Sequence, residues 1–546
     1  MPSRIALGAV CAMIAFSVHA QPDQQLSGRL DAELAVTNLD VMGERLYTRD
    51  ILRTVYRSRS FQPIWMTEHG VSEEAAQFID WLRTVPSAHG LRPEDYHLDA
   101  LVVMQNEPTR DLAELELMLS DAFLICASHL LEGRINPETL ESEWAANRRH
   151  DDLVPLLERV GGDRSAGALL EQLLPQHADY RALVAYLAEL RALHREGGWP
   201  IVDQGPTLRR ADTGRRVVQL TERLRLSGDL RAPISDLFTV EVAAAVQRFQ
   251  ARHGLNEDGL VGRATLAALN RSVESRIDQI IVNLERWRWL PETLGDRYVL
   301  VNVAAFRLDA VERGISALHM KVVVGLPYRR TPVFSDTIRF LVLNPNWEVP
   351  PRIAVEDKLP LIKANPRYLL EEGYQLLLGS AADERVVDPL TVDWTKITRR
   401  NFPFRLRQLP GPFNPLGRVK FMFPNKFSVY LHDTPSRGLF AEDARAFSSG
   451  CIRLEAPFDL AELLLRDDPD WPRARIELAA AEDMQQTVWL PRPMPIHLLY
   501  WTAWIDPSNG SLHFSDDVYG RDAGLLRELR EPPPDRVSPS DRLLTP

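Results

Sequence analysis

Cysteine is scarce in this chain: three among 546 residues, at positions 11, 126 and 451. So few thiols cannot staple a fold, and stability has to come from packed apolar cores. No CxxC or HxxxH spacing occurs, so no zinc ligand set of familiar form is present, and neither a metal nor a cofactor is expected. Basic residues are in deficit, 64 against 75 acidic, for a net charge of −11. That balance gives no electrostatic support to a nucleic-acid partner. The apolar run near the start, Ile5 to Val18, covers 14 residues and is short for a membrane-spanning helix.

What remains is an ordinary globular composition, 45% hydrophobic and 25% charged, in a chain long enough for roughly three or four domains. Arg4, the apolar run and Val18-His19-Ala20 ahead of Gln21 read as a secretory signal peptide over 1–20, which implies export to the periplasm. An uncleaved N-terminal anchor is the alternative. Val10 before Cys11 argues against a lipoprotein site. Export leaves Cys126, on an apolar helical face, and Cys451. Cys126 reads as a core residue, and a bridge between the two would silence Cys451.

The stretch from Tyr430 to Arg453 organises the rest. It sets His432 nineteen residues ahead of Cys451, with Ser448-Ser449-Gly450 before the thiol and Arg453 two residues after it. The nucleophilic form of cysteine is the thiolate, so a catalytic Cys needs a base or cation beside it, and an imidazole can serve as both. Phe427-Ser-Val-Tyr-Leu alternates as a strand that would deliver His432 at its end. On that strand Tyr430 shares the face of His432 and so can line the pocket. Gly450 lets backbone N–H groups, its own and that of Cys451, point at a substrate oxygen. Arg453 can fix a substrate carboxylate or pack across the turn. From these residues alone the reading stops at an exported cysteine acyltransferase or peptidase.

The pattern resembles the active-site signature of the L,D-transpeptidases (the YkuD-type catalytic domain). There, a His segment precedes Ser-x-Gly-Cys-[Ile/Val]-Arg by such a gap. Ser449 stands where the commoner form has a second His, as in the large, scaffold-bearing YcbB-like branch. The resemblance implies that Cys451 is the nucleophile and His432 the base, with the backbone carbonyl of Asp433 holding its tautomer. The Asp433 side chain is either a turn-former or a partner. It places Ser449 and Trp347, in Asn344-Pro-Asn-Trp-Glu-Val-Pro-Pro, beside the substrate, with Trp347 either walling a pocket or packing in a core. Asn283-Leu-Glu-Arg-Trp-Arg-Trp and Thr331-Pro-Val-Phe recur in the same branch. Ala245-Val-Gln-Arg-Phe-Gln and Asp258-Gly-Leu-Val-Gly-Arg-Ala-Thr resemble a small three-helix peptidoglycan-binding domain.

The organisation implied is multidomain α+β. Residues 21–36 are a linker, 37–205 a helical scaffold and 206–272 the peptidoglycan-binding bundle. Residues 273–530 are a mostly-β, sandwich-like catalytic domain interrupted by a capping subdomain at 353–415, and 531–546 are a disordered tail. The implied partners are peptidoglycan stem peptides, a donor tetrapeptide and an acceptor, and other cell-wall synthesis enzymes. The implied reaction forms 3→3 cross-links through a cysteine thioester, with carbapenems as inhibitors. L,D-carboxypeptidase action, D-amino-acid exchange, anchoring of a wall protein, and a non-catalytic peptidoglycan-binding scaffold stay open as alternatives.

Overall fold

The computed structural model describes residues 22–532, apart from 37–39, 42, 68–69, 108–110, 141–143, 146–147, 163, 381–382 and 483. The signal-peptide reading and nearly all of the tail lie outside the described residues. Helix α1, Pro22–Ala35, replaces the expected linker. Its surface is polar, but Leu26, Leu30 and Leu34 recur every fourth residue, and Leu30 and Leu34 are buried in the scaffold core. A stripe that narrow gives little sequence signal yet is enough to dock one helix.

The scaffold is built on α2, Leu112–Glu132, capped at its start by Asp111, whose carboxylate accepts from the backbone N–H of Ala113 and Glu114. A cap of this kind satisfies orphan donors of the first turn. Almost every side chain of α2 is buried, including Cys126. Burial drives the Cys126 thiol far above its usual range, so it is an inert core group. Glu116 is buried on the same helix and accepts from the N–H groups of Ile64, Trp65 and Met66 and from the Tyr56 hydroxyl. One carboxylate thereby fixes the Phe61–Trp65 loop, whose Trp65 is fully buried.

From the scaffold, β1, Trp144–Ala145, crosses to the catalytic sheet. Helices α3, Arg215–Leu226, α4, Val240–Arg252, and α5, Arg263–Leu269, form a small bundle with its own core around Phe249, Val246 and Leu266. Helix α6, Val273–Arg288, is the axle between modules. Its Glu285 and Arg288 form a fully buried ion pair at 2.6 Å. Glu285 also accepts from the Ile135 N–H, and Arg288 donates to the His89 carbonyl. Asn283 and Gln279 hydrogen-bond Thr502 of the catalytic domain. The Asn283–Trp289 motif is therefore an inter-module joint.

The catalytic domain opens with β2, Arg297–Asn302, β3, Arg307–Glu312, β4, Ile315–Gly325, and β5, Val333–Leu343. The capping insertion follows. Its helical start is joined to an antiparallel sheet of β6, Trp347–Glu348, β7, Tyr374–Leu378, β8, Arg385–Val387, and β9, Phe404–Gln408, ordered β6-β9-β7-β8. Strands this short, two to five residues each, carry little alternation by which a sequence could announce the sheet. The main sheet resumes with β10, Val419–Met422, and β11, Leu431–His432. Next come β12, Ala446–Ser448, β13, Ile452–Leu454, and β14, Gln486–Leu499. A hairpin of β15, Ala503–Ile505, and β16, Leu512–Phe514, completes the strands.

In order, the main strands run β10-β11-β13-β4-β3-β2-β14-β5, and β5 pairs back onto β10. The expected sandwich is thus one sheet that closes on itself around a single core. Closure leaves few free edges, and β1 of the scaffold covers the start of β5 in parallel pairing, Trp144 opposite Val333. The strand expected over Phe427–Leu431 is shorter than its composition suggests: Ser428 sits at φ 55 and only Leu431 and His432 pair.

Replacing Glu116 by Ala strands three N–H groups at once, those of Trp65 and Met66 buried and that of Ile64 part-buried. The expected loss is on the order of 3 kcal/mol, seen as a lower first melting transition by calorimetry. An unchanged transition would show that water replaces the carboxylate.

Candidate active site

One register decides the site. Strands β11 and β13 pair in parallel with Leu431 opposite Ile452 and His432 opposite Arg453, and the Ile452 N–H donates to the Tyr430 carbonyl at 3.1 Å. Leu431 and Ile452 are fully buried in the sheet core. Side chains alternate along a strand, so Tyr430, His432, Cys451 and Arg453 all project from the other face. The register sets Cys451 beside Tyr430 and diagonal to His432, a separation that long or aromatic side chains bridge. Strand β10 adds Lys420, opposite His432.

Each group has a definite environment. His432 is buried; its Nδ1 lies 2.5 Å from the Asp433 carbonyl oxygen, and the Pro415 carbonyl also meets the ring. Burial, together with the Arg453 and Lys420 charges, lowers its pKa to about 3. Cys451 is a free cysteine, partly exposed as a residue. Burial of its sulfur raises its pKa, opposed by the Tyr430 N–H and hydroxyl and by the Lys420 and Arg453 cations. The resting pair is therefore neutral thiol and neutral imidazole. Tyr430 packs its ring 5.7 Å from that of His432, with Lys420 Nζ 3.8 Å from the Tyr430 ring centroid. The Tyr430 hydroxyl also meets the Trp347 indole. Trp347 belongs to the cap core, so it packs and reaches the site at once. Arg453 keeps a buried Nε without a hydrogen-bond partner among the described residues.

Residues 296–473 match the family model described as the L,D-transpeptidase catalytic domain. This chain carries an L,D-transpeptidase catalytic domain. Residues 213–269 match a "putative peptidoglycan binding domain" and 50–187 a scaffold domain. Over 252 residues the chain is 38% identical to a protein of Haemophilus influenzae named "putative L,D-transpeptidase". That stretch is 46% of this chain and 50% of the relative, so the chain spans about half the length of the relative it matches. Solved L,D-transpeptidases from Stackebrandtia nassauensis (15% identity, TM-score 0.22, covering 57% of this chain and 99% of that one) and Xylanimonas cellulosilytica (13%, 0.16, 54% and 99%) are similar too, at levels that carry no weight.

Within the transpeptidase domain the loop before Cys451 is braced by Ser448 and Thr331, whose hydrogen-bond partners the sequence does not show. The Ser448 hydroxyl donates to the Cys451 carbonyl at 2.6 Å and accepts from the Gly450 N–H at 3.0 Å. This corrects the expectation that the Gly450 N–H serves an oxyanion, because the amide is already engaged. Gly450 is still needed for its φ of +119°, a conformation costly for other residues. Its carbonyl accepts from Thr331 Oγ1 at 2.8 Å, and Thr331 Oγ1 accepts in turn from the Gly325 N–H. Thr331-Pro-Val-Phe is thus a brace behind the cysteine. The Asp433 carboxylate accepts from the Arg418 N–H and from Arg437, which makes it a turn-former. A Cβ on Gly417 would overlap it.

Ser449, exposed beside the thiol, accepts from Arg329 Nη1 at 3.0 Å. The same guanidinium pairs with Asp357 at 2.8 Å and Glu356 at 3.2 Å, in a π-helical turn at Ala354–Lys358 of the cap. Arg329 therefore latches the cap to the loop that carries Cys451.

The raised thiol pKa predicts that alkylation of Cys451 by iodoacetamide, followed on its peptide by mass spectrometry, climbs with pH through a midpoint above the ordinary thiol value of about 8.5. Lys420→Met removes a cation and moves that midpoint further up. A midpoint below the ordinary value would mean a thiolate–imidazolium resting pair. Arg329→Ala should speed amide hydrogen exchange across 354–364 by roughly fivefold, the worth of a partly exposed ion-pair network. Unchanged exchange would show that the cap stays closed by packing alone.

Proposed function

We propose that the protein is an exported peptidoglycan L,D-transpeptidase that works through a Cys451 thioester. The observation that carries this reading is the β11–β13 register, which gathers Cys451, His432, Tyr430 and Arg453 on one face within a domain of that family. Cys451 Sγ attacks the carbonyl of the third stem residue. His432 Nε2 takes the thiol proton, and the departing D-alanine amine receives it. The Asp433 carbonyl holds the imidazole tautomer. The Cys451 N–H polarises the carbonyl oxygen, with the Tyr430 hydroxyl alongside. The Arg453 fork, with its unpartnered Nε, takes a substrate carboxylate, while Ser449 and Trp347 line the approach. The amine of a second stem then attacks the thioester, which gives the 3→3 link and restores the thiol.

A resting thiol with a raised pKa beside an imidazole with a lowered one suits a nucleophile that should stay quiet until substrate arrives. The cap supports transfer over hydrolysis, because excluding water preserves the acyl-enzyme for the amine. Peptidoglycan lies outside the cytoplasm, which agrees with the export signal read at 1–20.

Incubation with a carbapenem should add one inhibitor mass to the intact protein, and Cys451→Ala should abolish the adduct. With a purified tetrapeptide muropeptide, cross-linked dimer and free D-alanine should appear together by chromatography and mass spectrometry. Free D-alanine or tripeptide without dimer would assign the carboxypeptidase alternative, and absence of any adduct would assign the non-catalytic one.

A further inference from the structure

Two cations flank His432, and neither has a counter-ion. Strand β10 sets Lys420 opposite His432, and β13 sets Arg453 opposite it on the other side, each one strand spacing away, about 4.8 Å along the sheet. Val419 and Phe421 are fully buried in the sheet core, so Lys420 between them projects from the same face as the imidazole. Among the described residues, the one carboxylate that acts on Lys420 is Glu348, and none acts on Arg453. Glu348 is itself held by Arg407 and Arg405. Asp433, the acid nearest in sequence, is turned to Arg437 and to the Arg418 N–H.

Lys420 rests its Nζ 3.8 Å from the Tyr430 ring centroid. A ring face eases withdrawal from water but fills none of the three N–H bonds of an ammonium. Both cations are half-buried, and burial lowers the pKa of each. With the thiol and imidazole neutral, the site holds two positive charges and no negative one, in a chain whose net charge is −11. A charge drawn out of water without a partner is costly, so the arrangement calls for an anion that arrives with the substrate. The reaction fixes where that anion is. When Cys451 attacks the bond before a C-terminal residue, the leaving amine carries a carboxylate about 2.5 Å from its nitrogen and under about 4 Å from the scissile carbonyl carbon. His432 has to reach that nitrogen to return the proton, so the carboxylate falls beside the imidazole, in the row of Lys420 and Arg453. Of the two, Lys420 suits the leaving side. Its ammonium is a point charge on a flexible stem and can follow a departing group. It lies over Tyr430, whose strand runs between β10 and β13. Arg453, two residues beyond Cys451, presents a planar fork to the acyl part that the sulfur retains.

We propose that Lys420 reads the carboxylate α to the reacting amine, first on the departing C-terminal residue of the donor and again on the amine that attacks the thioester. The second half-reaction reverses the first. A neutral amine takes the place of the one that left, its nitrogen bonds to the thioester carbonyl carbon as the C–S bond breaks, and its proton passes through His432 to the sulfur. An attacking amine with an α-carboxylate fits the same cation. This role rests on the transpeptidase reading and adds the feature by which that site selects its amine.

Release of the terminal residue is measured with the full chain from a tetrapeptide stem ending in D-alanine and from the same stem ending in D-alaninamide. The free-carboxylate stem should be cleaved with a kcat/KM at least about tenfold higher, the worth of one hydrogen bond to a charged group. Lys420→Met should bring that ratio close to one, and Lys420→Arg should restore most of it. Loss of the Lys420 charge also raises the thiol pKa, but that slows both stems alike, so the ratio isolates the carboxylate. Isotope-labelled D-alanine should likewise enter the stem in preference to labelled D-alaninamide, with the same dependence on Lys420. A parent protein indifferent to the amide, or a Lys420→Met variant that keeps the preference, would overturn the assignment. Absence of a carbapenem adduct would remove the transpeptidase reading itself, whereas an adduct together with a stem ratio near one would sink the role of Lys420 alone.

Discussion

The candidate site of this molecule depends on the parallel pairing of two very short strands. Leu431 and Ile452 bury themselves in the sheet core, and this apolar anchoring forces their polar neighbours outward. A slip of one residue would invert the arrangement, burying Cys451 and His432 and exposing two aliphatic side chains. Hydrophobic burial on one side of the sheet is thus what sets an imidazole and a thiol on the other. The braces around the loop hold what the register creates: Thr331 and Ser448 fix the backbone on which Cys451 sits.

The electrostatics follow from the same burial. Withdrawal from water raises the thiol and lowers the imidazole, so both rest uncharged. Lys420 and Arg453 lean against this for the sulfur and reinforce it for the ring. Trp347 of the cap core packs toward Tyr430, in surroundings where those charges count for more than they would in water.

Much of this was legible in the chain. Cys451 with its Ser-Ser-Gly turn, the distant His432 and the three-helix module rest on local patterns that a sequence carries openly. What could not be read depends on partners far along the chain. Lys420 is one residue of a short strand until pairing sets it opposite His432. Ser448 and Thr331 are ordinary hydroxyls until their acceptors are known. Closure of the sheet needs β5 to meet β10, and alternation within either strand says nothing of that meeting. The Gly450 amide is of the same kind, because its acceptor, the Ser448 hydroxyl two residues back, cannot be seen in composition.

The scaffold's contribution of Trp144–Ala145 to the start of β5 bears on how the chain can be divided. Cut free of residues before α6, the transpeptidase domain would keep Cys451 and His432 yet present raw backbone along Val333 and Phe334, a ready dock for another copy of itself. The scaffold is in this sense a sealing strip for the fold it accompanies, and its persistence in the chain has a reason that owes nothing to substrate.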